Sequence, residues 1–308
     1  MKNECRISPV DSFAPFRDRN MYGIDPMACL QKKLAHMGIR VTIDSTNVVP
    51  EDLFYLEEEE ILQYIHKKKA YVKITDELSF YNAMCAIKRQ INIFHLRNQV
   101  RILNIEDTYI DANATIGKDT VIYPGTFIEG ECIIGEGCVI GPNTRIVDTG
   151  VGELTTIIQS VVLESLVGKS CSIGPFSYIR PETVLEDKVK VGDFVEIKKS
   201  NIAHGTKIPH LAYIGDARIG RNTNIACGVI TANYDGIRKH RTIIGDNCFV
   251  GCNTTLVAPV TVERDSYIAA GSTITEPVGE GSLAIARERQ VNKEGWVSRT
   301  GHGRMEKE

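Results

Sequence analysis

Residues 110–146 read IDANATIGKDTVIYPGTFIEGECIIGEGCVIGPNTRI, and within them every sixth residue is isoleucine: Ile110, Ile116, Ile122, Ile128, Ile134, Ile140 and Ile146. A period of six matches neither the turn of a helix nor the simple alternation of a strand. It suits a unit of one short strand plus a turn. Three such units close a triangular coil, and coils stacked at the strand spacing bury a continuous column of aliphatic side chains. Glycine often follows the aliphatic residue, as at Gly117, Gly135, Gly168 and Gly245. A residue without Cβ fits corners where the backbones of successive coils approach closely.

Outward from this stretch the series resumes as Val161, Val167, Ile173, Ile179, Leu185, Val191 and Ile197, then steps irregularly through Ile202, Ile208, Ile214, Ile219 and Ile225. It returns as Ile244, Val250, Leu256, Val262, Ile268 and Ile274. The span predicts roughly nine coils in a prism on the order of 40 Å long. A β-sandwich does not hold one period over so many units. Two interruptions stand out: residues 148–160 read as a local bulge, and 231–242, TANYDGIRKHRT, as a polar loop thrown out of the prism.

Before the repeat, Asp25-Pro26 opens a helix over 27–37, Gly38 ends it, and 39–43 reads as a strand. A second helix covers 57–68. A third runs from about 76 to 98, with Leu78, Tyr81, Met84, Ile87, Ile91 and Phe94 along one side to pack on the first coil. The chain thus divides into an α/β segment over 1–103, a β-helix over 104–281 and an irregular arm over 282–308 that holds Trp296.

A net charge of −3 and a pI near 6.2 give no global reason to expect binding to nucleic acid or to an anionic membrane. Residues 1–16 lack an apolar signal core, and no apolar run approaches the ~18 residues that span a bilayer. A cytoplasmic protein is expected, and its nine cysteines, an odd number, read as reduced thiols. Cys132 with Cys138, and Cys248 with Cys252, have no CxxC or histidine partner, so they read as small packing residues and no metal site is expected.

A packed prism has no internal cavity, so a site belongs on its outer face, beneath the ejected loop or between prisms. Arg180, Glu196, Lys198, His210, Tyr213, Asn224, Asn233, Tyr234 and Lys239 gather where the repeat is irregular. Together they could hold an anionic amino sugar and deprotonate it: cations for phosphate, amide and phenol groups for hydroxyls, and a histidine as base. Singly, each has an ordinary structural or solvated reading. His36, His66, His95, His204, His240 and His302 keep that reading.

The runs IGPFSYIRP (173–181), VGDFVEIKKS (191–200), HLAYIGDARIG (210–220), NYDG (233–236) with Lys239, TIIGDNCFVG (242–251), LVAPVTV (256–262), IAAGSTIT (268–275) and KEGW (293–296) are densely ordered. They resemble the C-terminal acetyltransferase domain of the bifunctional bacterial N-acetylglucosamine-1-phosphate uridyltransferase/glucosamine-1-phosphate N-acetyltransferases, within the hexapeptide-repeat acyltransferases. The resemblance implies a mainly β fold, a left-handed parallel β-helix, which is an exception to the right-handed crossover rule. It implies direct acetyl transfer from acetyl-CoA to glucosamine 1-phosphate, with no metal and no acyl-enzyme, to give N-acetylglucosamine 1-phosphate for UDP-N-acetylglucosamine and the cell envelope. His210 matches the general base and Glu196 the carboxylate that orients it. Arg180, Lys198 and Lys239 match cations that grip the sugar phosphate, and Tyr213 and Asn224 match sugar contacts. Cys227, Asn233, Tyr234, Cys252, Ala270 and Arg287 match the acetyl-CoA channel. The family is a homotrimer with sites shared between neighbouring prisms.

The chain departs from that pattern in three places. Residues 1–103 lack the glycine-rich, Arg- and Lys-containing loop of the nucleotide-binding domain, so uridyl transfer is expected to be absent. Cys252 stands where serine is common, and Cys227 where a smaller residue is usual. Another amino sugar or sugar nucleotide as acceptor, and a noncatalytic trimeric scaffold, are the competing readings.

Overall fold

The computed structural model describes residues 4–7, 40–43 and 77–300. The expected helices over 27–37 and 57–68 lie outside these residues, as does the side chain of Ile87. Strand Glu4–Ile7 pairs in parallel with Arg40–Ile43, within the stretch read as a strand.

From Arg101–Ile102 to Leu283–Ala284 the chain makes strands of only a few residues, each paired in parallel with the strand one coil further on. Every third strand joins the same sheet. The three sheets hold ten, nine and eleven strands and form the three faces of a parallel β-helix of about ten coils. The first face carries Tyr178–Ile179 and Glu196–Lys198, the second Asn201–Ile202, and the third Lys190–Asp193 and Lys207–His210. The extra coil beyond the expected nine comes from the terminal strands Arg101–Ile102 and Leu283–Ala284, whose weaker pattern hides them from a simple count.

The aliphatic column is the core: Ile110, Ile122, Ile128, Ile140, Ile146, Ile173, Ile179 and Ile197 are all fully buried. Two residues before the inward aliphatic comes a smaller buried side chain, and ahead of the third-face strands its polar group bonds the next coil. The Thr120 hydroxyl donates to Gly135 O at 2.8 Å and the Thr155 hydroxyl to Gly168 O at 2.8 Å. Cys138, Cys171 and Cys248 occupy the same kind of position, so their packing role holds, and burial pushes the Cys171 thiol up to about 11. Cys252 differs: it is exposed at a corner and packs no core. At the corners glycine is required, because a Cβ on Gly135 would stand 2.6 Å from Glu153 N and one on Gly245 2.5 Å from Arg264 N.

Residues 148–160 form no bulge. Gly150↔Ile133 and Thr156↔Val139 stay in register, and the corner itself is one residue shorter. The inward residues step by five from Ile146 to Val151 and again from Ile157 to Val162, which makes Val162, not Val161, the buried one. The same contraction from Ile197 to Ile202 and from Ile214 to Ile219 explains the irregular stretch.

Helix α1, Glu77–Arg97, precedes the first coil. Its expected apolar side is only partly buried: Ile91 is, whereas Leu78, Tyr81 and Phe94 are exposed. The line that meets the coil is Ile91, Asn92 and His95. Asn92 Nδ2 donates to Ile105 O at 2.8 Å and Thr108 O at 2.9 Å, closing carbonyls at the open end of the prism. Burial lowers the His95 pKa to about 4, so this histidine is neutral and structural. After the last strand, helix α2, Trp296–Thr300, is one short turn in the arm.

Candidate functional site

The register of the third face decides what lies at the corner between the third and first faces. Val191 pairs with Ile208, Asn224 with Lys207 and Phe249, Val250 with Ile225 and Ile268, and Ile268 with Ala284. Two residues past each inward side chain, successive coils therefore present Asp193, His210, Cys227, Cys252 and Ala270 in one column along the prism. Backbone bonds across these coils fix the stacking: Leu211 N to Asp193 O at 2.9 Å, Gly228 N to Leu211 O at 3.0 Å, Asn253 N to Cys227 O at 2.8 Å and Gly271 N to Cys252 O at 2.8 Å. Arg287 lies beside the end of this line, its Cδ 3.9 Å from where a Cβ on Gly271 would be.

At the head of the column His210 Nδ1 lies 2.6 Å from Asp193 Oδ1. This bond holds the Asp193 carboxyl below the usual range. An ionised carboxylate only accepts, so Nδ1 carries a proton, and in the neutral ring Nε2 is then the nitrogen with the free lone pair.

The opposite edge of the first face gathers cations. Arg180 donates to Glu196 Oε1 at 2.6 Å. Lys198 stands beside Lys239 of the ejected loop, and that neighbouring ammonium lowers its pKa, with burial and Arg180 acting in the same direction and Asp216 against it. Like charges brought together this way are favourable only where an anion joins them.

The loop is held from below. After Ile230–Ala232 the chain leaves the first face, and buried Asn233 donates to the carboxylate of Asp216. Tyr234 bridges to Lys239 in antiparallel fashion, and Asp235 ties the turn by accepting from Ile237 N at 2.7 Å and Arg238 N at 2.6 Å. His240 Nε2 lies 2.6 Å from the other Asp235 oxygen, so this histidine serves the loop. Beneath, a Cβ on Gly215 would stand 2.5 Å from the Tyr213 hydroxyl and 2.7 Å from Asn233 Nδ2, so the glycine lets phenol and amide meet over the face.

Against known proteins, the family model described as "Bacterial transferase hexapeptide (six repeats)" matches residues 106–148 and 241–276. The bifunctional protein GlmU of Caldanaerobacter subterraneus subsp. tengcongensis is 54% identical over 233 residues, 76% of this chain and 51% of that protein. GlmU of Clostridium acetobutylicum is 53% identical over 215 residues, 70% of this chain and 47% of that protein. Over residues 106–148 and 241–276 the chain carries the hexapeptide repeat of bacterial transferases. It matches the C-terminal part of the GlmU proteins and spans about half the length of these relatives.

Within this family setting the expected residues fall into distinct groups. His210, Cys227, Cys252 and Ala270 share the corner column, and Arg287 lies beside Gly271 just past its end. Arg180, Glu196, Lys198, Tyr213, Asn233 and Lys239 gather on the first face and its loop edge. Asn224 stands on the third face between Lys207 and Phe249, and Tyr234 is exposed on the loop. Glu196, expected to orient His210, pairs within one chain with Arg180, its strand lying on the first face in register with Tyr178 and Tyr213. The carboxylate on His210 belongs to Asp193, which the motif reading passed over. Its signal was in the repeat: Asp193 follows Val191 by the same two residues that separate His210 from Ile208. Among the described residues no cluster of His, Cys, Asp and Glu could hold a metal, and no helix is long and apolar enough to cross a membrane.

Proposed function

We propose that this chain transfers the acetyl group of acetyl-CoA to the amine of glucosamine 1-phosphate. The column from His210 to Ala270 supports this reading most directly: a base at one end, small side chains at Cys227, Cys252 and Ala270 along it, and the Arg287 cation beside Gly271 past the far end for a phosphate. The acyl thioester would lie along the column with its carbonyl at His210. The amine attacks that carbon, His210 Nε2 takes the N–H proton, the C–N bond forms and the C–S bond breaks, and the proton passes to the departing CoA sulfur. No thiol of the protein is acylated. Arg180, Lys198 and Lys239 receive the sugar phosphate, Glu196 holds Arg180 in place, and Tyr213 and Asn224 contact the sugar; Asn233 and Tyr234 close over the acetyl-CoA.

Two observations support a homotrimer with shared sites. Phe176, Phe194 and Leu211 are bulky, exposed and left-handed at successive corners, with φ of 57°, 55° and 44°. A strained apolar ridge beside the base is favourable only when another surface covers it. Asp193 also ends a strand of the third face and Lys198 a strand of the first, with the corner at Phe194 between them, whereas the amine and phosphate of glucosamine 1-phosphate sit on adjacent carbons. A base from one copy and cations from its neighbour remove that mismatch. Acetyl-CoA and unpaired thiols both suit a reducing cytoplasm.

The test is CoA-thiol release with acetyl-CoA and glucosamine 1-phosphate, with glucosamine and UDP-glucosamine as other acceptors. Turnover specific to the sugar phosphate should fall by ~10²–10⁴ in His210→Ala, as expected for loss of a general base. A folded protein that binds CoA and turns over none of the three acceptors would overturn the assignment and favour a scaffold.

A further inference from the structure

We infer that Asp193 is the positioning residue for His210, fixing its tautomer and aim so that Nε2 faces the reacting amine. The inference rests on the acetyltransfer reading for its kinetic consequence and on the geometry alone for the pairing. The two residues occupy equivalent places on adjacent coils, in direct register, with Nδ1 and Oδ1 2.6 Å apart. The β-ladder therefore sets the carboxylate at hydrogen-bonding distance without relying on a long, mobile side chain.

The surroundings leave Asp193 as the group that governs this histidine. One coil earlier the column holds Pro175, because Val191 pairs with Ile173, and one coil later it holds Cys227, which is half-buried. Glu196, three residues on, is engaged by Arg180 at 2.6 Å. Lys190 and Lys207 sit on the same strands as the pair but on the outward rungs before Val191 and Ile208. The effects that set the Asp193 pKa come from His210, its own backbone and burial. A carboxylate that accepts from Nδ1–H does three things for a base. It keeps the proton off Nε2, fixes the ring plane, and stabilises the imidazolium that forms when Nε2 takes the amine proton.

The test pairs a titration with kinetics on the full chain. The ring signals of isotope-labelled His210, assigned with His210→Ala, are followed from pH 4 to 9 in the native protein, Asp193→Asn, Asp193→Ala and Glu196→Gln. Removal of the Asp193 charge should lower the His210 midpoint and shift the neutral ring away from the Nδ1–H form, while Glu196→Gln leaves both unchanged. In the acetyl-transfer assay both Asp193 variants should lose about 10- to 100-fold in kcat with little change in either KM, and the acid limb of the rate profile should move to lower pH. An unchanged midpoint and tautomer in Asp193→Ala, in a protein with native circular dichroism and size, would overturn the pairing. A changed midpoint with unaltered kcat would overturn the positioning role. Absence of turnover in the native chain would count against the proposed function, and the titration would still decide the pairing.

Discussion

Lys198 shows how one side chain carries the logic of the anion site. Its pKa is lowered first by the Lys239 ammonium beside it, and only its charged form attracts phosphate. If the proposed sugar phosphate binds here, its binding should therefore hold below that lowered value and be lost as pH rises through it, at lower pH than an isolated lysine would give. Lys239→Met removes the neighbouring charge, so the alkaline limb of kcat/KM for the sugar phosphate should move to higher pH. At neutral pH its KM should rise about 3- to 10-fold, since one exposed cation is lost. An alkaline limb that stays in place would show that the two lysines do not act on one phosphate. At this scale the sequence disclosed the residue types but not the pairings. His210, Arg180 and Lys198 stand out as chemistry in irregular stretches, whereas Asp193 hides because Val-Gly-Asp is an ordinary corner. Only the count of two past each inward aliphatic brings it beside His210.

Among the elements, the ejected loop has its own fastening. Asp235 accepts two backbone N–H bonds and faces His240, and these hold its carboxyl at about 2. A carboxyl whose folded pKa is depressed stabilises the loop above the ordinary aspartate range and loses that effect only as pH falls towards about 2. The turn should thus stay tied at pH 4. Asp235→Ala should speed amide exchange over residues 233–240 by ~10-fold or more, leave the unfolding temperature of the prism unchanged, and raise the KM for acetyl-CoA. Unchanged exchange would show that the turn is held by Tyr234 and Asn233 instead. The position of this loop was legible because it is an excess of residues between two inward side chains, Thr231 and Ile244. The apparent bulge at 148–160 was misread for the converse reason: a corner one residue short disturbs the period without disturbing the strands. Helix α1 was misread along its face, because the coil end offers unpaired carbonyls as well as apolar surface. The side that answers them carries Asn92 beside Ile91, so apolar spacing alone points the wrong way. The handedness of the coil was never in the spacing and came only with the family resemblance.

For the whole molecule, a β-helix is nearly one-dimensional: each coil touches its two neighbours, and the expected site residues lie on the faces and corners of the prism. The base column runs along one edge of the first face and the cation cluster along the other, so the architecture separates the two halves of the proposed chemistry on each copy. Closed cyclic symmetry can rejoin them by setting the column of one copy against the cation edge of the next. This predicts complementation. Chains carrying His210→Ala keep their cations, and chains carrying Arg180→Ala, Lys198→Ala and Lys239→Ala together keep their base, so each has little activity alone. Equal amounts unfolded and refolded together should regain about a quarter of native activity, since one interface in four then joins an intact base to an intact cation edge. The mixed sample should also match the native one in size on a sedimentation profile. If each copy instead completes its own site, no arrangement of the mixed chains contains an intact pair, and the refolded mixture should be no more active than its parents.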